Sequence, residues 1–250
     1  MVTDSRPRIS PGCPVNAASY VGGGVAPGEI VTIFGAAMGP SETVPLSLTG
    51  NGRLDTTLAG TRILFNGAPA PLLYVSDTQS SAIVPFAVSG PSVDVQVEYQ
   101  GLQSDAVTVP VLPSRPGVFS LDGSGQGPLA ILNDDGTVNS PSNPAARGSI
   151  VTIYATGGGE RDPAVADGQI LSDVLPKPSL GTSVWFDNGP QYDISAYGEV
   201  LYAGGSPGSV AGLLQLNVRV PPDALAGDAV AFGLIIGGER APGPLTIALR

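Results

Sequence analysis

Hydrophobic and polar positions alternate with a period of two in stretch after stretch of this chain. Val93, Val95, Val97 and Tyr99 take turns with Ser92, Asp94, Gln96 and Glu98, and Leu214, Leu216, Val218 and Val220 with Gln215, Asn217 and Arg219. Successive side chains of a strand point to opposite faces, so the pattern predicts strands with one buried and one wet face. Thr61, Ile63 and Phe65 against Arg62 predict another. Asn66-Gly67 follows it, a pair that tolerates positive φ in a two-residue turn, so a tight hairpin is expected there. The returning arm, Ala68 to Val75, holds Pro69 and Pro71, which lack backbone donors and put it at a sheet edge. Ser81 to Val84, Val107 to Val111, Leu129 to Leu132, Val230 to Ile236 and Leu245 to Leu249 add further short strands. No stretch has the 3.6-residue period of a long amphipathic helix.

The densest strand signal occurs twice. Gly28-Glu29-Ile30-Val31-Thr32-Ile33-Phe34-Gly35 returns as Gly148-Ser149-Ile150-Val151-Thr152-Ile153-Tyr154-Ala155. Five β-branched or aromatic residues in a row suit a mostly buried strand, and its duplication predicts two related domains. Ile63 to Gly67 is echoed by Val184, Trp185 and Phe186 with Asp187-Asn188-Gly189, and Val15-Asn16 by Val138-Asn139. Residues 1 to about 25 read as an extended lead-in, with Pro7, Pro11 and Pro14 excluding helix. Pro113-Ser114-Arg115-Pro116-Gly117 is a short, stiff boundary that gives domains 1–113 and 114–250 at a restricted angle. About seven short strands per half, with Gly/Pro turns at intervals of about ten residues, predict an all-β fold of two tandem Ig-like β-sandwiches.

Composition supports this picture and removes several function classes. The 250 residues include 35 Gly and 25 Pro yet are 42% hydrophobic, which argues for packed sandwiches rather than disorder. A net charge of −10, one lysine and ten scattered arginines disfavour nucleic acid and anionic lipid as partners. No apolar run approaches the ~20 residues of a membrane-spanning helix, and Met1 to Gly12 lacks the apolar core of a signal peptide. From composition the chain is either cytoplasmic or part of an exported protein. The single Cys13 forbids an intrachain disulfide and reads as an inert or surface thiol.

The order Val15-Asn16-Ala17-Ala18-Ser19, Ala26 to Gly35, Phe65-Asn66-Gly67-Ala68-Pro69-Ala70-Pro71-Leu72-Leu73-Tyr74-Val75 and Val138 to Ala145, with Leu201 to Gly205 and Leu214 to Pro221, spans nearly the whole chain. It resembles the uncharacterised C-terminal domain family of acidobacterial secreted proteins, of the Solibacter type. Each half is also distantly similar to the Ig-like fold shared by plexins and transcription factors. The resemblance implies an extracellular or cell-surface setting and brings no catalytic residues. The chain departs from the family pattern at Ser80-Ser81, where an Ile-Asn pair is expected.

With no histidine, Ser-His-Asp and Cys-His machinery, histidine-based zinc sites and the usual near-neutral base are all absent. Gly123 to Pro128 and Gly157-Gly158-Gly159 open no helix and read as turns. Glu160, Asp162 and Asp167 fall in one loop and are the candidate Ca²⁺ ligands, although their spacing is not that of an EF-hand and a solvated acidic loop partly neutralised by Arg161 competes with that reading. Five of the 14 aromatic residues fall within 185–202: Trp185, Phe186, Tyr192, Tyr197 and Tyr202. Phe186 and Tyr202, matching Phe65 and Tyr74, are expected in the core. Trp185 alternates outward, and Trp185, Tyr192 and Tyr197 are the candidate ligand-binding residues, for stacking on polysaccharide. An isopeptide crosslink through Lys177 is disfavoured by Pro176 and Pro178. The leading expectation is a non-catalytic structural or adhesive module whose partners are other surface proteins or polysaccharide. Its alternatives are a carbohydrate-binding module and an enzyme working through carboxylates alone.

Overall fold

A computed structural model of the chain describes residues 6–186 and 196–250. Its described residues are all-β, with no helix. In the first half the strands are β1 (Arg8–Ile9), β2 (Val15–Asn16), β3 (Ile30–Ala36), β4 (Val44–Pro45), β5 (Thr61–Phe65), β6 (Ala68–Pro69), β7 (Leu72–Val75), β8 (Gln79–Ile83), β9 (Ser92–Tyr99), β10 (Leu102–Gln103) and β11 (Val107–Pro110). One sheet runs β1-β3-β8-β7-β4 with β2 also on β3; the other runs β10-β9-β5-β6 with β11 also on β9. This is the immunoglobulin arrangement of an ABED sheet packed on a CFG sheet. Between them lies a core of Val31, Ile33, Ile63, Phe65, Leu72, Val93, Val95 and Val97.

The second half contains β12 (Gly117–Val118), β13 (Gly127–Pro128), β14 (Ile131–Leu132), β15 (Ile150–Thr156), β16 (Arg161–Asp162), β17 (Lys177–Pro178), β18 (Thr182–Phe186), β19 (Ala196–Gly205), β20 (Leu214–Arg219), β21 (Gly227–Ile236), β22 (Glu239–Arg240) and β23 (Leu245–Leu249). It repeats the plan, with β15, β20, β19, β18, β21 and β23 in the places of β3, β8, β7, β5, β9 and β11. Its core is pinned by an edge-on Phe186–Phe232 pair with centroids 5.6 Å apart.

The two copies differ where their sequences do. The Asn66-Gly67 hairpin forms, with φ of 47° and 78° at its tip, but its returning arm pairs with β5 for only two residues. Pro69 and Pro71 then end that pairing, and the chain crosses to the opposite sheet as β7. In the second copy, β19 itself contains no proline. It pairs with β18 through Ala196–Gly198 and with β20 through Glu199–Gly205, so one strand joins both sheets. Gly198 sits at the crossover, where a Cβ would lie 2.6 Å from Val218 and 2.9 Å from Phe186.

The lead-in is part of the fold rather than an appendage. β1 and β2 lie on β3 just as β12 and β14 lie on β15, and Val15 faces Thr32 as Leu132 faces Thr152. The structural counterpart of Asn16 is therefore Asn133, not Asn139 as the Val-Asn echo suggests. Ile33 pairs with Ser80 where Ile153 pairs with Leu216, so Ser80 puts a hydroxyl at a core position, buried and without a hydrogen-bond partner. Phe65 and Phe186 are core residues as expected. Tyr74 and Tyr202 are only half-buried at its rim, because each hydroxyl keeps a polar partner: the Gln79 amide for Tyr74 and the Gly205 carbonyl for Tyr202.

Candidate functional site

The two sandwiches meet across a third apolar cluster. Ile30, Leu54 and Ile83 are buried there with Ala17 and Leu73 of the first half, against Phe119, Val210 and Leu213 of the second. The organising strand places Ile30 at this seam because β3 begins where β15 ends. Thr156, the last residue of β15, accepts the Ile30 N–H at 2.8 Å and donates to the Gly212 carbonyl at 3.0 Å, both buried. Gly212 permits this contact, since a Cβ would lie 2.9 Å from the Gly28 carbonyl.

Beside the cluster lies a buried ionic network. Glu29 is wholly buried, and its carboxylate accepts from Asn16 Nδ2 (2.8 Å), the Ala26 N–H (2.8 Å) and Arg115 Nη1 (3.2 Å). Arg115 comes from the proline-stiffened boundary and also donates through Nη2 to the Val21 carbonyl at 2.7 Å and to that of Gly22. Asn16 returns a bond to the Arg115 carbonyl at 3.0 Å. Burial pushes the Glu29 pKa up to about 7, opposed by the Arg115 charge and by the hydrogen bonds from Ala26 and Asn16. The Gly157-Gly158-Gly159 run, read from sequence as a turn, gives this boundary room. Cβ atoms on Gly157 and Gly159 would collide with the carbonyls of Arg115 and Pro113, and the Arg115 N–H donates to the Gly157 carbonyl at 2.7 Å. Ser114 adds a buried bond to the Ile236 carbonyl at 2.7 Å.

Of the candidate calcium ligands, Asp167 and Glu160 lie at this junction. Asp167 Oδ1 accepts the Phe86 N–H of the first half at 2.8 Å, and the neighbouring Gly168 carbonyl accepts that of Leu54 at 2.8 Å. Glu160 stands on the wall of a mostly apolar cleft of about 320 Å³ between the halves, with Pro27, Val88, Leu112 and Leu180. Asp162 is exposed on β16. Among the described residues no three His, Cys, Asp or Glu side chains come together as a metal site. Arg161 does not neutralise Glu160, Asp162 and Asp167, because its side chain turns inward and is buried. Cys13 is buried as well, with Sγ accepting the Phe34 N–H at 3.4 Å, so it is not a surface thiol.

Of the proposed stacking residues, Tyr192 lies outside the described residues. Tyr197 is 68% exposed, directly across from Trp185. Trp185 is neither core nor a free platform. Its indole lies on Gly233 of β21, where a Cβ would collide with the ring, and the Arg240 guanidinium sits 4.3 Å from the ring centroid. A groove of about 410 Å³ runs beside it, lined by Ala231, Arg240, Pro242, Pro244 and Thr246.

No family model matches the chain, and no curated protein matches it. Solved structures give distant matches. The γ-CGTase of alkalophilic Bacillus clarkii is 15% identical with a TM-score of 0.30, over 94% of this chain and 24% of that one. The plexin A4 extracellular region, domains 1 to 8, is 14% identical with a TM-score of 0.29, over 98% and 18%. SGBP-B, from a complex xyloglucan utilization locus in Bacteroides uniformis, is 12% identical with a TM-score of 0.26, over 94% and 47%. The chain thus spans from under a fifth to about half of these proteins. Its functional reading rests on its own geometry.

The sequence reading missed the residues that build the junction: Asn16, Glu29, Arg115 and Thr156. One signal was available. Glu29 is a carboxylate inside an otherwise apolar repeated strand, at the place where the second copy has Ser149.

Proposed function

We propose that the chain is a non-catalytic structural module in which two Ig-like sandwiches, dividing at residues 113 and 114, are held at one fixed angle, as a spacer or adhesive segment of an extracellular or cell-surface protein. The observation that carries this reading is the junction. A flexible tether would leave the facing surfaces of the two halves in water, whereas here Ile30, Leu54 and Ile83 are buried in an apolar cluster with the partly buried Phe119, Val210 and Leu213, flanked by the Glu29–Arg115 pair. The exterior setting is what the Solibacter-type resemblance implies. No helix among the described residues is long and apolar enough to cross a membrane. Small-angle scattering by the full chain is expected to fit a single arrangement of the sandwiches. A profile that requires a broad range of inter-sandwich angles overturns the spacer reading, as does robust turnover in a hydrolase and oxidoreductase screen that one point substitution abolishes.

Polysaccharide recognition at Trp185 and Tyr197 is the second reading, favoured by the exposed Tyr197 ring and the adjoining groove. It requires Arg240 to share or leave the indole face. Trp185 is the only tryptophan, so its emission reports the site alone. A shift with one class of soluble glycan, lost in Trp185→Ala without loss of fold, supports this reading; an emission unmoved by a panel of glycans removes it.

A further inference from the structure

Among the described residues, Arg161 is a full charge enclosed without a counter-charge. Its Nε, Nη1 and Nη2 are sealed from solvent, and none has a hydrogen-bond acceptor. The carboxylates on either side of it in sequence, Glu160 and Asp162, are exposed. The walls are apolar: a Cβ on Gly158 would lie 2.6 Å from Nη1, 2.7 Å from Leu214 Cδ1 and 3.4 Å from Pro178 Cγ. Tyr202 offers no negative charge, because burial raises its pKa above the ordinary value and its hydroxyl donates to the Gly205 carbonyl at 2.6 Å. Desolvation lowers the Arg161 pKa only to about 10, so the guanidinium is charged at neutral pH.

A guanidinium presents five donors, and burying one with neither acceptors nor a counter-charge costs a large share of what a marginally stable domain has. We propose that Arg161 is the binding site of a small monovalent anion of the chloride class, held between the Gly157-Gly158-Gly159 turn, β17 and β19 as part of the native second sandwich. Pro178, Leu214 and Gly158 close on the guanidinium, so a monatomic ion displaces less of that wall than a carboxylate-bearing metabolite or a phosphate would. The apolar walls supply the low dielectric in which one ion pair is strong. Gly158 is required because any side chain there would occupy the space at Nη1.

The test is thermal unfolding of the full chain at constant ionic strength, with chloride replacing gluconate from zero to 100 mM. A ligand bound only by the native state raises Tm by mass action, and about 100-fold excess over the dissociation constant corresponds to a rise of roughly 5 °C or more at this chain length. The expected curve saturates with chloride and is flat in Arg161→Met. Wild-type crystals soaked in bromide should in addition show an anomalous peak within hydrogen-bond reach of the Arg161 nitrogens, a readout that does not depend on the variant folding. An unfolding temperature indifferent to chloride, an equal response in Arg161→Met, or no bromide peak at Arg161 overturns the proposal.

Discussion

Replacing Glu29 by Gln should change how the stability of this protein depends on pH, with a sign fixed by the burial of the carboxyl. Glu29 is wholly buried, and its pKa rises from the ordinary 4.5 to about 7. Between those two values the folded protein holds a proton at Glu29 that the unfolded chain has released. Stability therefore falls as pH rises through that window. The contribution is fully present below pH 4.5 and lost above pH 7, and at 1.36 kcal/mol for each pH unit it amounts to about 3 kcal/mol. Glutamine cannot titrate, so the wild-type minus Glu29→Gln difference should decline by about that amount between pH 4.5 and 7.5. Its absolute level is shifted because Gln presents an N–H₂ group to at least one of the donors Asn16 Nδ2, Arg115 Nη1 and the Ala26 N–H, leaving that donor without its bond. The assay is urea unfolding of both proteins at half-unit pH steps. A difference that stays flat, or that rises with pH, would refute the reasoning. A rise would mean that the Arg115 charge and the three hydrogen bonds outweigh desolvation and hold the carboxyl below its ordinary value.

Three further outcomes follow from single contacts. Thr156→Val keeps the shape of the side chain but leaves the buried Ile30 N–H without its acceptor, which should cost about 1–3 kcal/mol and speed hydrogen exchange at the Ile30 amide; unchanged exchange would count against the junction as described. Ser80→Ala removes a buried hydroxyl that has no partner and should raise stability in denaturant unfolding by about 1 kcal/mol, whereas a clear loss would mean that the hydroxyl is satisfied in solution. Gly233→Ala should drive the Trp185 indole off β21 and shift its emission to the red, and an unchanged spectrum would contradict the packing of that ring.

Fold class, strand content and duplication were legible in the sequence because each follows from local rules. Period-two alternation specified β9 and β20, Asn66-Gly67 specified its hairpin, and the repeated run specified β3 and β15. The strand order was less legible. Nothing local says that the arm after Asn66-Gly67 leaves β5 after two residues, because Pro69 and Pro71 forbid continued pairing without stating where the chain goes next. Nor does a Val-Asn echo reveal that Asn133, rather than Asn139, stands in the place of Asn16, since that equivalence is set by which residue faces Thr152. The junction was hidden for the same reason. Asn16, Glu29, Arg115 and Thr156 are separated by up to 140 positions, and only the packing of β3 against the end of β15 makes them neighbours. Glu160, Asp162 and Asp167 show the converse, for closeness in sequence suggested a shared ligand, whereas an irregular loop turns consecutive carboxylates in different directions. By itself the sequence determined two Ig-like sandwiches and the absence of histidine chemistry, both consequences of residue type and short-range spacing. Only the tertiary structure decided that the sandwiches meet in an apolar cluster, that Glu29 is buried beside Arg115 and that Arg161 turns inward, because burial is a property of what the rest of the chain places around a residue.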